Sequence, residues 1–273
     1  MPTLTITTIQ SNIAWEDKDA NLKLFEEKIN AIEERTEVVV LPEMFSTGFT
    51  MQPQLFAETM DGETVDWMRN LAIDKKIIIT GSIIIKEEDK FYNRLIWMLP
   101  NGDMGFYNKR HLFAYAGEDD HYAAGNKRLI ASVKGWKINL QVCYDLRFPV
   151  WARQMLKYDE NAAEEPELQT EYDVLVYVAN WPERRIHAWK ILLQARAIEN
   201  QSFVIGVNRV GQDGHGIYHS GETMVVDPLG EILYEAAHKE EVRTITLDKD
   251  KLEEIRKRFP FWKDADHFMI TNE

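Results

Sequence analysis

Hydrophobic and polar positions near the start of the chain follow two different spacings. Residues 3–8 are rich in β-branched side chains, which is typical of a strand, whereas residues 19–35 place apolar side chains at helical spacing. The uninterrupted apolar run of residues 38–41 predicts a short buried strand that ends at Pro42 and Glu43. A strand, a helix and a buried strand make a βαβ unit, so the pattern indicates an α/β fold.

The same two spacings recur along the rest of the chain. The predicted strands are residues 77–85, 91–99, 104–107, 129–133, 136–142, 174–179, 203–208, 222–226, 232–234 and 241–247. The predicted helices are residues 64–75, 149–158, 186–200 and 249–257. One parallel sheet rarely holds so many strands, and the helices are spread through the whole chain. We therefore expect two sheets packed face to face, with helices outside, in a single domain of residues 1–273.

Three segments have no sustained hydrophobic period. Residues 108–127 hold many polar and glycine positions and predict a long ordered loop, and such loops are often functional in compact domains. Residues 159–172 form an acidic insertion. Residues 259–273 form an aromatic tail, which we expect to pack on the body of the protein or on a second subunit.

Composition and charge exclude several classes of protein. The formal net charge of -13 disfavours nucleic acid and anionic membranes as partners, because those surfaces need clustered Lys and Arg. No apolar stretch reaches the roughly 18 residues of a membrane span. The single cysteine rules out an intramolecular disulfide, and the first residues lack the regions of a signal peptide. We expect a soluble cytoplasmic protein.

Three of the predicted buried strands end in polar or reactive side chains. Glu43, Cys143 and Asn180 each follow such a strand, and strand ends in an open α/β sheet can meet at one crevice. A carboxylate beside a thiol would place a base beside a nucleophile, and Lys109 in the long loop could add a cation that raises thiol reactivity. Taken singly, each residue has a plainer interpretation: a lone cysteine is commonly buried and inert, and a lysine or glutamate commonly lies on the surface.

Motifs around these residues resemble the nitrilase superfamily of carbon-nitrogen hydrolases. Residues 41–45, 107–113 and 142–149 are similar, in that order, to the catalytic motifs of the family. Glutamate, lysine and cysteine within them are 66 and 34 residues apart, as in the family's Glu-Lys-Cys triad. The triad residues would be Glu43, Lys109 and Cys143. Further segments that resemble the family are residues 47–49, 180–182, 194–200, 206–209 and 227–231.

Within the superfamily the chain is most similar to the omega-amidase branch. That branch hydrolyses the terminal amide of small keto-acid amides such as 2-oxoglutaramate and 2-oxosuccinamate. The resemblance implies a four-layer αββα sandwich of two mixed sheets flanked by helices, no metal or organic cofactor, and a homodimer. It also implies a small amide as the substrate.

The residue types fit amide hydrolysis. Cys143 would attack the amide carbonyl, and Glu43 would accept the thiol proton, deliver it to the departing ammonia and then activate water against the thioester. Lys109 and the backbone N–H of Tyr144 would hold the developing oxyanion. Each residue would have a role that no neighbour can take.

Two other charged side chains each have a competing interpretation. Glu118 resembles the second glutamate that many family members place near the triad, but Asp119 and Asp120 are alternatives. Arg147 could bind a substrate carboxylate, or could form a structural ion pair with Asp145, two residues away.

An aromatic residue and another arginine are equally open. Trp181 could line the substrate pocket or simply pack in the core. Arg209, like Arg147, could bind a substrate carboxylate or form a structural ion pair. His215 and His219 are four residues apart, but the neighbouring glycines argue against a helix that would present both to zinc. The sequence also has no Gly-x-Ser-x-Gly nucleophile motif and no phosphate-binding loop that ends in Gly-Lys-Ser/Thr.

Two alternative functions remain at this stage. A carbamoylase or a nitrilase would use the same triad on a different carbon-nitrogen bond, because the triad sets the reaction class while the pocket walls select the substrate. A non-catalytic interaction protein on the same fold is the other alternative. The intact triad argues against it.

Overall fold

The computed structural model describes residues 3–159 and 167–271. Residues 160–166, which make up half of the predicted acidic insertion, lie outside the described residues, as do residues 272–273 of the predicted tail. The strands are β1 (Thr3–Gln10), β2 (Val38–Val40), β3 (Ile78–Glu87), β4 (Lys90–Met98), β5 (Met104–Asn108), β6 (Leu129–Val133), β7 (Trp136–Val142), β8 (Lys157–Asp159), β9 (Glu167–Gln169), β10 (Val174–Ala179), β11 (Phe203–Asn208), β12 (Val210–Gln212), β13 (Tyr218–Val226), β14 (Ile232–Ala237) and β15 (Glu241–Asp248). The helices are α1 (Lys18–Asn30), α2 (Pro53–Phe56), α3 (Glu63–Lys75), α4 (Glu118–His121), α5 (Pro149–Ala152), α6 (Ile186–Asn200) and α7 (Lys249–Arg258).

Two large mixed sheets form the centre of the fold. The first has the order β15-β1-β2-β3-β4-β5, in which β1, β2 and β3 are parallel. The second has the order β12-β13-β11-β10-β7-β6, with β14 paired to β13, and its parallel strands are β7, β10 and β11. Strands β8 and β9 form a separate two-stranded antiparallel sheet. Within the described ranges, no helix is long and apolar enough to cross a membrane.

Alternation along the buried strands creates three apolar layers. In β2, Val38 and Val40 face the layer between the two sheets, whereas Val39 faces the layer under α1 and α3. In β10, Val176 belongs to the central layer and Leu175 to the layer under α6. Because successive side chains of a strand point to opposite faces, uninterrupted apolar runs are what a doubly covered strand requires. The predicted αββα sandwich is confirmed.

The predicted helix over residues 149–158 is wrong beyond its first turn. Helix α5 ends at Ala152, and Arg153 has an extended backbone. The Gln154 backbone N–H then donates to Asn200 Oδ1, and its side chain donates to the Tyr172 and Asn200 carbonyls. These tertiary hydrogen bonds replace the local ones of a helix, and a hydrophobic period cannot reveal them.

The described part of the tail contacts the body of the protein. Gln201, at the end of α6, donates to the Phe259 carbonyl and accepts from the Trp262 backbone N–H, at 2.7 and 3.0 Å. Ile270 packs against the layer between the sheets. These contacts attach the tail to the C-terminal end of α6 and to the layer between the sheets.

Candidate active site

The polar ends of the three buried strands meet at one cavity of about 190 Å³. Strand β2 leads to Glu43, β7 to Cys143 and β10 to Asn180, and all three residues line this cavity. The remaining lining residues are Phe49, Phe113, Tyr115, Ala116, Tyr144, Arg147, Trp181, Pro182, Arg184, Arg185, Asp213, Ile217 and His219. The expected convergence therefore occurs, across two sheets rather than along one.

Lys109 lies behind the cavity wall and joins two buried carboxylates. Its Nζ lies 2.9 Å from Glu43 Oε1, and 2.9 and 2.8 Å from the two carboxylate oxygens of Glu118. Lys109 is 1% exposed, and both glutamates are fully buried. Asp119 and Asp120, the alternatives to Glu118, are exposed on α4. Glu118 is thus the second carboxylate of this cluster.

The cluster holds two carboxylates for one ammonium. Burial would lower the pKa of Lys109, but the charges of Glu118 and Glu43 outweigh it and raise that pKa above its ordinary value. Burial raises the pKa of Glu118, and Lys109 only partly offsets the increase. Lys109 is therefore a permanent cation.

Glu43 is fixed by donors from three directions. Its Oε1 accepts from Lys109 and, at 2.8 Å, from Asn93 Nδ2. Its Oε2 accepts from the Asn180 backbone N–H at 2.8 Å, and the Asn180 side chain donates to the Glu43 carbonyl at 2.5 Å. The carboxylate orientation is thereby set from both sheets.

Cys143 occupies a strained position immediately after β7. Its φ of 45° lies in the left-handed region, which is uncommon for residues other than glycine. Residues Cys143–Arg147 form a 3-10 turn that presents the half-buried sulfur to the cavity. The thiol hydrogen-bonds to Glu43. Burial, reinforced by the charge of Glu43, raises the pKa of the thiol well above its ordinary value, although Lys109 opposes the increase. The resting sulfur is therefore protonated, and the Glu43 carboxylate lies beside it as a candidate base.

Asp145 ties the Cys143 turn to the segment that carries Lys109. Its Oδ2 accepts from the Val142 backbone N–H and from the Tyr107 hydroxyl, at 3.0 and 2.7 Å. Its Oδ1 accepts from the His111 backbone N–H at 2.9 Å and lies 2.8 Å from His111 Nδ1. With these partners Asp145 makes no ion pair with Arg147 among the described residues, so that alternative interpretation of Arg147 is wrong.

Arginine and aromatic side chains also line the cavity. The Arg147 guanidinium lies 4.9 Å from the Trp181 ring centre, and that of Arg185 lies 5.0 Å from the ring centre of Phe113. Tyr144 packs edge to face against Phe113 at 4.9 Å. In the described chain, neither guanidinium has a carboxylate within ion-pair distance or a hydrogen-bond acceptor. Burial and the neighbouring Arg184 lower the pKa of Arg185.

Trp181 both lines the cavity and packs in the core. It lines the cavity, yet it is only 3% exposed and its ring centre lies 5.5 Å from that of Trp189 in the core under α6. Its backbone is held by Asn208, whose side chain accepts from the Trp181 N–H and donates to its carbonyl.

Arg209 and the two histidines make no hydrogen bond to the cluster of Glu43, Lys109 and Glu118 in the described chain. Arg209 is buried beside the cavity and donates to Asn12, Ile13 and Gln212, which makes it a brace between loops. His219 lines the cavity, and burial together with the charge of Arg209 lowers its pKa to about 4, so it is neutral at pH 7. The described residues contain no group of three or more His, Cys, Asp or Glu that could hold a metal ion.

Asn93 is the main site residue that the sequence did not reveal. Residues 91, 93, 95 and 97 share one face of β4, and Leu95 and Trp97 on that face belong to the layer between the sheets. An asparagine on an apolar face is the signal that could have identified it, because a buried amide must find partners.

A model of the carbon-nitrogen hydrolase family matches residues 5–257 of this chain. The chain is a carbon-nitrogen hydrolase. The prediction of membership in the nitrilase superfamily, in its omega-amidase-like branch, is confirmed.

Whole-length relatives of this hydrolase include proteins named as amidases. The chain is 42% identical to Omega-amidase YafV of Escherichia coli (strain K12) over 271 residues, which cover 99% of this chain and 100% of that protein. It is 29% identical to 2-oxoglutaramate amidase of Bacillus subtilis (strain 168), over 95% of this chain and 96% of that protein.

Solved structures of related hydrolases have the same fold. XC1258 from Xanthomonas campestris, a CN-hydrolase superfamily protein with an arsenic adduct in its active site, has a TM-score of 0.93 and 41% identity, and the match covers 99% of this chain and 100% of that one. Nit3 of Saccharomyces cerevisiae, a nitrilase superfamily member, has a TM-score of 0.80 and 27% identity, over 94% of each chain.

Proposed function

We propose that this hydrolase is a cysteine-dependent omega-amidase, which converts a small keto-acid amide to the keto acid and ammonia. The observation that carries the proposal is the buried cluster of Glu43, Lys109 and Glu118 beside the Cys143 thiol, at a cavity that is also lined by unpaired arginines. The names of the whole-length relatives support the same activity.

The reaction follows from where the protons lie. Glu43 takes the thiol proton as Cys143 Sγ bonds to the amide carbon, and the carbonyl oxygen becomes an oxyanion that the Tyr144 backbone N–H binds and the nearby charge of Lys109 stabilises. Glu43 returns the proton to the nitrogen, the carbon-nitrogen bond breaks, and ammonia leaves a thioester on Cys143. Water then gives a proton to Glu43 as its oxygen bonds to the thioester carbon. The carbon-sulfur bond breaks, the acid leaves, and Glu43 returns the proton to Cys143 Sγ.

The cavity wall selects the substrate in this proposal. We assign Arg147 and Arg185 to the carboxylate at the far end of the substrate, and Trp181 to its hydrocarbon part. An unpaired guanidinium in a half-buried wall favours a carboxylate, which it can hold with two parallel hydrogen bonds.

The larger-scale expectations belong to the same proposal. We propose one domain over residues 1–273 and a homodimer, which is supported by exposed apolar side chains on α6, among them Ile191 and Ile198. The cytoplasmic location and the absence of nucleic-acid partners stay predictions from charge and composition.

An ammonia-release assay with matched amides tests the function. We expect the enzyme to hydrolyse 2-oxoglutaramate and 2-oxosuccinamate, and to prefer 2-oxoglutaramate over levulinamide, in which a methyl group replaces the carboxylate, by about a hundredfold or more in kcat/KM. Cys143→Ala should reduce turnover by about a thousandfold or more and leave the melting temperature nearly unchanged.

Two other outcomes would contradict the proposed omega-amidase activity. Hydrolysis of an N-carbamoyl amino acid or a nitrile, without ammonia from the keto-acid amides, would make the protein a different Glu-Lys-Cys hydrolase. If mass spectrometry detects no acyl adduct on Cys143 with any amide or ester, the protein is not an enzyme of this type.

A further inference from the structure

Asn93 lies at the centre of the buried carboxylate cluster. It is fully buried on β4, and its Nδ2 donates to Glu43 Oε1 at 2.8 Å and to Glu118 Oε1 at 3.2 Å. Both amide hydrogens are thus used on two different carboxylates. The two oxygens that accept from Asn93 are also the ones that accept from Lys109.

The main chain of Asn93 positions the cation as well. Its carbonyl accepts from the Lys109 backbone N–H at 3.0 Å, which extends the antiparallel pairing of β4 with β5 past the Arg94 and Asn108 pair. One residue therefore contacts three members of the cluster: Glu43 and Glu118 through its side chain, and Lys109 through its backbone.

The neutrality of this donor matters for the chemistry. A second cation here would stabilise both carboxylates so strongly that Glu43 would be a poor base, whereas no donor would leave two like charges close together with one ammonium between them. The Asn93 amide oxygen has no hydrogen-bond partner among the described residues. The amide is therefore oriented so that both of its N–H groups donate. Its buried oxygen is left without a partner, which costs free energy.

We propose that Asn93 is a positioning residue for the amidase reaction, which holds Glu43 ionised and aimed at the Cys143 thiol while it keeps Glu118 on Lys109. The inference rests on the proposed function in that Glu43 is taken as the base. Besides Glu118, the titratable groups that face Glu43 are Lys109, Cys143 and Tyr122. Burial or neighbouring charges raise the pKa values of Lys109, Cys143 and Tyr122 above their ordinary ones, so none of these three groups titrates in the acidic limb of a pH profile.

The test is the pH dependence of Cys143 alkylation by iodoacetamide, beside that of kcat for ammonia release. Asn93→Asp is nearly isosteric, but it replaces the donor by a third carboxylate. We expect the acidic limb of both profiles to move up by about one pH unit or more, with much of the lost rate recovered at high pH and KM little changed. Asn93→Ser keeps one hydroxyl donor and should give a smaller shift in the same direction, which also decides the question if Asn93→Asp does not fold.

Asn139→Ala is the matched control. Asn139 is a fully buried asparagine on β7 whose side chain makes no hydrogen bond in the described chain, and its loss should leave both profiles in place. A loss of activity in the Asn93 variants that is equal at every pH, or no change at all, would overturn the proposal. If the wild-type protein releases no ammonia but its alkylation profile shifts as expected in the variants, the proposed function fails and the positioning role stands.

Discussion

Charge balance within the buried cluster is the decisive feature at the scale of single residues. Glu118 shares Lys109 with Glu43, and it does not line the cavity. Replacing Glu118 by Gln leaves Lys109 to Glu43 alone, which stabilises the ionised form of Glu43 and makes it a weaker base. We expect Glu118→Gln to lower kcat by about a hundredfold and to change KM little, as measured by steady-state ammonia release.

An exposed carboxylate on the same short helix is the control for this prediction. Asp119 follows Glu118 directly on α4 but lies in solvent. We expect Asp119→Asn to retain the wild-type kcat. If both substitutions lower kcat equally, the effect belongs to the folding of α4 and not to the carboxylate that pairs with Lys109.

Sequence motifs predicted Glu43, Lys109 and Cys143 as the triad because each residue lies in a recognisable segment. They could not choose among Glu118, Asp119 and Asp120, since adjacent acidic residues differ only in the direction in which a short helix points them. They also suggested a local ion pair between Asp145 and Arg147, whereas Asp145 bonds to His111 and Tyr107, 34 and 38 residues away. Long-range hydrogen bonds of this kind leave no local pattern.

At the scale of elements, apolar runs predicted the strands well because the central strands are covered on both faces. The same reasoning placed Glu43, Cys143 and Asn180 at converging strand ends. It failed for residues 149–158, where side-chain hydrogen bonds of Gln154 replace the helix, and for the end of the first helix, which stops at Asn30 instead of residue 35. Element types thus follow from periodicity, but element ends depend on tertiary partners.

A pair of carboxyl groups joins α6, β13 and β14. Glu222 hydrogen-bonds to Glu235, and Lys190 Nζ lies 2.5 Å from Glu235 Oε1 and 3.8 Å from Glu222 Oε2. Burial and the bond to Glu235 raise the pKa of Glu222 to about 7. Burial alone would raise the pKa of Glu235, but the bonds from Glu222 and Lys190 lower it. The pair therefore shares one proton below about pH 7.

This pair predicts a pH-dependent effect of Glu222→Gln on stability. The pKa of Glu222 is higher in the folded protein than in the unfolded chain. The wild-type protein therefore loses stability as the pH rises from roughly 4.5 to about 7, and this loss is complete above about pH 7. Gln mimics the protonated acid and does not titrate. We expect the melting temperature of the variant, relative to wild type, to be higher at about pH 8 than at about pH 5, as measured by calorimetry. Glu231→Gln, an exposed change in the turn before β14, should give the same difference at both pH values. An equal difference for Glu222→Gln would contradict the shared proton.

At the scale of the whole molecule, exposed apolar side chains gather on one surface around α6. We call this surface the α6 patch; its members are Ile191, Ile198, Leu229, Ile232 and Leu233, each 41 to 55% exposed. The patch is continuous because Gln194 donates to the Gly230 carbonyl and Ile198 lies against Gly230. Contiguous exposed apolar surface of this kind is typical of an interface between subunits.

The α6 patch predicts how the proposed homodimer can be broken. Ile198 is the most exposed member of the α6 patch, at 55%, and would be buried in the dimer. Ile198→Glu would then place an unpaired charge in an apolar interface. We expect wild-type protein to elute as a dimer in size-exclusion chromatography with light scattering, and Ile198→Glu to elute as a folded monomer at the same concentration. Leu55→Glu changes a 66% exposed leucine on α2, outside the patch, and should leave the dimer intact. If Ile198→Glu still elutes as a dimer, the interface lies on another surface. If the wild-type protein elutes as a monomer, the proposed homodimer is wrong.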